Sequence, residues 1–599
     1  MSYTAPLKDM LFVLHELAGL DKVQQLPGCE EATEEIVQAV LEENARFMSE
    51  VVAPLNRSGD VQPGRWADGQ VSTSPGFREA FRSFGKAGWQ GVQHPSQYGG
   101  QGLPKVVGAA CMEMMQAANL SFALCPLLTD GAIEALLVAG SDEQKDTYLP
   151  RLIEGSWTGT MNLTESQAGS DLSQVRTRAV PQADGTYRVF GQKTFITYGD
   201  HDLAANIVHL VLARTPEAPE GVRGISLFIV TKVLVAADGT LGKRNDVYCA
   251  SIEHKLGIKA SPTCVLIYGD DKGEVGPGAI GYLVGEENRG LEYMFVMMNA
   301  ARFQVGMQGI AVCDRAYQKA AAYAKERVQS RAVEGSSGPV PIIRHPDVRR
   351  LLMFMRANTE AARAVAYVAA GHHDVAHHHP DPALRKEAQA AYEYLVPIVK
   401  GWSTEVSIDV ASAGVQVHGG MGFIEETGAA QFYRDARILT IYEGTTAIQA
   451  NDLVGRKTAR DGGSAANAFI RQMKATAAEL QTAGGDLAAI GQRLQDAAEA
   501  YANAVAYVVA QYKGDIRSVF AGSVPYLKLA GIAHCGWQMG RAALAAHRLL
   551  AEKRDIAFAK AKIATARFFA DHMLVTVPSL SASIVEGSSG TLALAEESF

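Results

Sequence analysis

The sequence predicts an α+β protein of several domains, in the order helical, β, helical, helical. Three observations carry this: 599 residues are too many for one core; apolar residues recur at helical spacing at both ends; and a middle stretch changes to short β-branched segments. The expected boundaries are 1–158 for an N-terminal helical domain, 159–285 for a β domain, 286–455 for a helical bundle and 464–599 for an additional C-terminal helical domain.

From Glu34 to Val52 the residues Ile36, Val37, Val40, Leu41, Met48, Val51 and Val52 repeat with helical period, and Pro54 is expected to stop them. Helical patterns continue in "FREAFRSFGKAGW" and "KVVGAACMEMMQAANLSFALCPLL", with "HPSQYGGQGLP" as a loop between them. The segments "SWTGTMNL", "TYRVFGQKTFITYG", "NIVHLVLART", "GISLFIVTKV" and "TCVLIYGD" are rich in β-branched and aromatic residues and are separated by turn residues, so they read as strands. After "GEENRGL" three long helices follow, beginning near Glu292, Pro346 and Ala383, with connections short enough for an antiparallel bundle. Gly455 to Ala468 has linker composition, and the Ala-rich stretches beyond it predict the last helical domain.

Composition narrows the function. Charged residues make up 20% and the formal net charge is -8, so there is no basic surplus for nucleic acid. No run approaches the roughly 20 apolar residues of a membrane span, and the N-terminus lacks a basic start and a cleavage site, which points to a cytoplasmic address. Seven scattered cysteines without a C-x-x-C pair suggest neither disulfides nor zinc. The cluster "GHHDVAHHHP" (Gly371 to Pro380) matches no standard metal spacing and reads as a solvated loop between helices; no metal is expected.

Two stretches invite chemistry. "RILTIYEGTTAIQ" (Arg437 to Gln449) sets one carboxylate, Glu443, beside Ile438, Leu439, Ile441 and Tyr442, where a charge must be paired, protonated or used for its raised basicity. "MNLTESQAGSDLS" (Met161 to Ser173) runs from a strand into a turn whose hydroxyls and backbone N–H groups suit a polar ring edge or a pyrophosphate. Neither G-x-G-x-x-G between strand and helix nor a G-x-x-x-x-G-K-[ST] loop is present, so a nucleotide must bind another way.

Taken with "GQKTFITYGDH" (Gly191 to His201) and "QVHGGMGF" (Gln416 to Phe423), these segments resemble the acyl-CoA dehydrogenases over roughly residues 35 to 455. The additional C-terminal domain is similar to that of the larger bacterial members of the family. The resemblance implies a β-barrel-like middle domain, a four-helix bundle, and a noncovalent FAD at their junction. Leu163, Thr164 and Thr197, with Met161 beside them, would meet the flavin ring edge, and Phe195 would cover its face where many relatives carry tryptophan. Gly169 and Ser170 would line the diphosphate and the mouth of the substrate tunnel. Arg327 matches the arginine that meets the FAD pyrophosphate. Gln416, Gly419, Gly420 and Thr445 match positions that reach a neighbouring subunit's FAD, which implies at least a homodimer. Asn299 and Arg302 match residues that contact CoA; Tyr442 and Gly444 would border the thioester.

Some relatives place the catalytic glutamate just before that arginine, where this chain has Ala301, so Glu443 is the motif-matched base. The implied activity is α,β-dehydrogenation of an acyl-CoA, with electrons passing to an electron-transferring flavoprotein. An acyl-CoA oxidase and a non-catalytic acyl-CoA-binding protein on the same scaffold are the alternatives. The sequence departs from the family at Ser166-Gln167, at Phe195, and in "RVQSRAVEGSSGPVPIIRHPDV", which replaces a short turn after Arg327. None of these removes a reacting group.

Overall fold

A computed structural model describes residues 3–236 and 238–599. The chain divides into two compact units, the first built from Glu43–Leu103 and Met114–Gln304, the second from Ala5–Glu42, Pro104–Glu113 and Val305–Phe599.

In the first unit, the strands are β1 (Arg65–Ala67), β2 (Gln70–Ser72), β3 (Trp157–Asn162), β4 (Arg178–Pro181), β5 (Tyr187–Thr197), β6 (Asn206–Ala213), β7 (Ser226–Thr231), β8 (Val233–Val235), β9 (Leu241–Arg244), β10 (Val247–Ile252), β11 (Thr263–Tyr268) and β12 (Ala279–Val284). Eight of them form one sheet in the order β10-β11-β5-β12-β7-β6-β3, with β4 also on β5. The β3–β6 pair in it is parallel, Trp157 opposite Asn206, and the other strand pairs among the described residues are antiparallel. All eight residues of β6 are buried because both faces of the sheet are covered. Leu210 joins Leu227 and Ile229 against Leu127, Ile133 and Leu136 of the Leu120–Ala139 helix, while Val211 and Phe228 pack on the opposite face with Val189 and Leu266. The alternation is the period-2 pattern of the strand turned into two cores.

The second unit is helical. Its long elements are the later part of Gly290–Glu326, then Pro346–His378 and Pro382–His418, followed by Ser464–Ala483, Gly485–Gln511, Ser523–Ala551, Ile556–His572 and Val577–Glu586.

Several local expectations are corrected. Pro54 does not end the helical run: a π-helical turn over Met48–Val52 is followed by a helix, Pro54–Val61, in which the proline takes the first turn, where its missing N–H costs nothing. The pattern from Lys105 onward splits at Asn119, whose side chain accepts the Phe122 N–H and starts a new helix. The histidine cluster is not a loop. Gly371 to His378 forms the last turns of the Pro346–His378 helix, where His373 stacks on His377 at 3.9 Å and Asp374 accepts the N–H groups of Lys105 and Val106 at 2.7 and 2.9 Å. Histidine does not break helices; Pro380 does. Most of the expected linker is also helical: Gly455–Ala459 belongs to a π-helix over Asp452–Ala459 and Ser464–Ala468 to the Ser464–Ala483 helix, so residues 460–463 alone separate the two. Finally, against the expectation of no apolar run of that length, two stretches among the described residues, Leu120–Ala139 and Ile556–Glu586, are long and apolar enough to cross a membrane by length and composition. The first is a core helix, 78% buried.

Candidate active site

In the first unit the site residues gather around one turn. β3 delivers half-buried Met161 and buried Leu163, and the chain reverses at Glu165–Ala168, whose N–H groups bond each other's carbonyls at 3.1 and 2.9 Å. Glu165 organises the turn. Its carboxylate accepts from the Thr177 hydroxyl at 2.6 Å, the Thr177 and Arg176 N–H groups at 3.0 and 2.8 Å, and the Lys193 ammonium at 2.8 Å. Lys193 is fully buried and also donates to the Leu163 carbonyl at 3.0 Å. Burial acts to raise the Glu165 pKa, but Lys193 and the hydrogen bonds outweigh it and hold the carboxyl at about 2. Lys193 itself is pulled down to about 8 by burial.

Thr164 is half-buried and its carbonyl accepts the Thr194 N–H at 2.9 Å, which joins the turn to β5. β5 bulges there: Ile196 pairs with Cys264 and Lys193 with Leu266, so Thr194 and Phe195 oppose the single residue Val265. The bulge puts Phe195 at φ +59° and turns its ring outward, 63% exposed. Thr197 lies two residues on, half-buried, opposite Thr263. Gly169 and Ser170 are exposed, and a β-carbon on Gly169 would meet nothing within 4 Å. On the Gly290–Glu326 helix, one turn apart, Arg302 is buried and donates to the exposed Asn299 side chain at 3.3 Å.

In the second unit, Arg327 is exposed just past the end of that helix, where its carbonyl accepts the Ile342 N–H at 2.8 Å. The replaced turn after it is a short bridge, Val328 opposite Pro341. Gln416 is exposed in the last turn of the Pro382–His418 helix, which Gly419 ends at φ +59°. β-Carbons on Gly419 and Gly420 would meet open space, and Met421, Phe423 and Ile424 follow with exposed apolar side chains.

Glu443 sits in the loop between the helices Ala429–Leu439 and Thr446–Asn451. Glu443 and Gly444 both adopt left-handed backbone, at φ +55° and +88°. The loop is held from several sides. Thr445 caps the next helix by accepting the Ile448 N–H; Gln449 Nε2 donates to the carbonyls of Glu443 and Gly444 at 3.3 and 3.4 Å; and the Tyr442 hydroxyl donates to Gln308. Buried Lys400 donates to the carbonyls of Leu439 and Gly444. Burial, with the Glu443 charge beside it, pushes the Tyr442 hydroxyl well above its usual pKa, so it stays a donor.

Sequence reasoning passed over Glu165, Lys193 and Lys400. A signal existed for the last: a single lysine inside "LVPIVKGWS" is expected in a core only when its charge is partnered. Among the described residues, no group of three or more His, Cys, Asp or Glu side chains is placed to hold a metal ion.

Comparison with known proteins identifies the family. The chain matches models of the acyl-CoA dehydrogenase N-terminal domain over residues 34–156, the middle domain over 160–270 and the C-terminal domain over 288–457. A fourth model, acetyl-CoA dehydrogenase C-terminal like, matches 469–595. It is 54% identical over 576 residues to 3-methylmercaptopropionyl-CoA dehydrogenase of Ruegeria pomeroyi, covering 96% of each chain. With the broad-specificity linear acyl-CoA dehydrogenase FadE5 of Mycobacterium tuberculosis the identity is 34%, over 96% of this chain and 95% of the relative. A solved acyl-CoA dehydrogenase of Bacillus anthracis, complexed with FAD, has the same fold, with a TM-score of 0.74 at 22% identity over 94% of this chain and 90% of its own. The chain belongs to the acyl-CoA dehydrogenase family and is an acyl-CoA dehydrogenase with an additional C-terminal helical domain.

Proposed function

We propose that the protein oxidises the α,β bond of an acyl-CoA thioester to the trans-2-enoyl-CoA, with Glu443 as the base that removes the α-proton. The observation that carries this reading is the placement of Glu443: one carboxylate on a left-handed backbone, in a loop pinned by side chains of the same unit. A positioned carboxylate gains basicity when apolar neighbours and a bound thioester shield it from water. The Glu443 peptide N–H would donate to the thioester oxygen as negative charge develops there, and Gly444 leaves room beside it. Arg302, aligned with Asn299, would supply rigid donors to the CoA moiety.

The residues of the first unit fit FAD. An exposed phenylalanine held outward by a bulge suits the face of a planar ring, the hydroxyls of Thr164 and Thr197 suit its polar edge, and Gly169 leaves space for a phosphate to approach. Bound there, FAD supplies the acceptor for the β-hydride. Lys193 and Glu165 hold the Leu163–Thr164 backbone that would receive the ring. Arg327, Gln416, Gly419, Gly420 and Thr445 would meet the remainder of FAD, the last four from a second copy, so we read the protein as a homodimer. Seven buried, free cysteines accord with a cytoplasmic location. The high identity to 3-methylmercaptopropionyl-CoA dehydrogenase makes that short thioester the first substrate to try, and the family favours an electron-transferring flavoprotein as acceptor.

The test is Glu443→Gln. It should keep the yellow flavin and bind acyl-CoA, yet lose turnover by about 10²–10⁴-fold, the usual contribution of a general base. Full turnover would remove Glu443 from the mechanism. In the same assay run in air, peroxide formed as fast as substrate is oxidised would make O2, rather than a flavoprotein, the acceptor.

A further inference from the structure

The Glu443 loop turns on a residue outside it. Lys400, in the Pro382–His418 helix, lies between Ile398, Val399 and Trp402 and is fully buried. Its ammonium donates to the carbonyl of Leu439 at 2.9 Å and to that of Gly444 at 2.6 Å. Leu439 is the last residue of the helix before the loop, and Gly444 directly follows Glu443. The lysine therefore ties together the two ends of the segment that carries the base. Two consecutive left-handed residues are disfavoured in a free chain and persist only where their surroundings hold them. A second tether comes from the same helix: the Thr446 hydroxyl donates to Glu405.

We propose that Lys400 is the positioning residue of the catalytic base. With both carbonyls bound to one ammonium, Glu443 is fixed in the left-handed conformation that sets the direction of its carboxylate, and Thr446–Glu405 holds the far side of the loop. In this role Lys400 acts through the two carbonyls it binds and not on the substrate itself. Its role is to keep the base within the narrow range of distance and angle that proton removal demands. This rests on Glu443 being the base.

The experiment separates the two claims. An acyl-CoA whose β-methylene is replaced by sulfur can lose an α-proton but has no β-hydride to give, so exchange of its α-hydrogen with deuterated water, followed by NMR on the FAD-loaded protein, reads the base alone. Lys400→Met keeps the unbranched side chain up to the position of the ammonium and removes the donors. It should slow exchange by about 100-fold, as misplacement of a reacting group by about 1 Å does, with KM for an oxidisable acyl-CoA and the affinity for FAD unchanged. Thr446→Val, which removes one hydroxyl at a half-buried position, should slow exchange less than Lys400→Met does. Glu443→Gln should abolish it. If Glu443→Gln still exchanges at the parent rate, the base itself is misassigned. If it is silent while Lys400→Met exchanges at the parent rate, or if Lys400→Met loses FAD and substrate affinity in step with exchange, the positioning role is overturned. Should Lys400→Met fail to fold, Thr446→Val decides: an unchanged exchange rate refutes the tethered loop.

Discussion

Gly444 shows how one residue type serves both backbone and chemistry. At φ +88° an L side chain is strained, and a β-carbon there would sit 2.7 Å from Gln449 Nε2, the group that bonds the Glu443 and Gly444 carbonyls. Gly444→Ala is therefore expected to cost about 1–3 kcal/mol locally and to lower kcat more than it raises KM. Steady-state kinetics beside a denaturation curve checks this; an alanine variant with parent kcat would mean that the loop tolerates rearrangement. Phe195 is the counterpart in the sheet. Its positive φ comes from the bulge against Val265, so the strand gives up regular pairing to aim one ring outward.

At the scale of elements, the sheet buries two histidines in neutral form. His201 Nδ1 accepts the Leu203 N–H at 3.1 Å, which leaves Nε2 to donate to Thr158 at 2.9 Å, and His209 bonds the Thr160 hydroxyl at 2.7 Å. Burial and the nearby Lys232 charge push both down to about 3. Between pH 6.5 and 3 the unfolded chain therefore binds more protons than the folded one, so stability falls as pH falls through that window. Glu165 adds to the loss between 4.5 and about 2, for its depressed carboxyl stabilises the fold only while ionised. The expected loss by pH 4 is of the order of a few kcal/mol. Denaturant midpoints measured from pH 7 to pH 4 should fall less steeply for His209→Gln than for the parent; equal slopes would show that His209 takes up its proton without unfolding.

At the scale of the molecule, the second unit is cross-tied by a buried charge network. Arg363 donates to Glu113 at 2.9 and 2.7 Å and to Asp9 at 2.7 Å; Lys562 donates to Glu360 at 2.6 Å and also to Asp9. One cluster thus joins the Leu7–Glu16 helix, the Pro346–His378 helix and, from the additional domain, Ile556–His572. Burial alone would raise the Asp9 pKa, but Lys562 and Arg363 lower it, so the pair of cations keeps it charged. Arg363→Met takes from Glu113 its guanidinium partner and leaves Asp9 with Lys562 alone, which should cost about 3–5 kcal/mol, read as faster hydrogen exchange in both the Leu7–Glu16 and Ile556–His572 helices; loss of protection in one alone would show that the network does not couple them. Assembly gives a separate prediction. The exposed Met421, Phe423 and Ile424 follow directly on Gly419 and Gly420, and covering them with a second copy gives a homodimer of about 128 kDa, twice the 64.0 kDa chain. Light scattering of the FAD-loaded protein tests this; a monomer that keeps its flavin would refute the shared site, and a tetramer would show that the additional domain leaves a second face open.

Local patterns carried much of this protein. Successive residues of the central strands face two different cores because both sheet faces are covered, and the long helices announce themselves by period. Glu443 stood out because a lone carboxylate among apolar neighbours demands a reason. Composition misleads where packing decides: the histidines of Gly371–Pro380 have the makeup of a loop but continue a helix, and the Gly-rich stretch has the makeup of a linker but continues a π-helix through Ala459. What only the tertiary structure decided is which distant groups meet. Lys400 and Gly444 are 44 residues apart, Lys193 and Glu165 are 28 apart, and Arg363 and Asp9 are 354 apart. Sequence period assigns a side chain to a face, but the partner that satisfies a buried charge is set by how elements pack, and no local pattern records that.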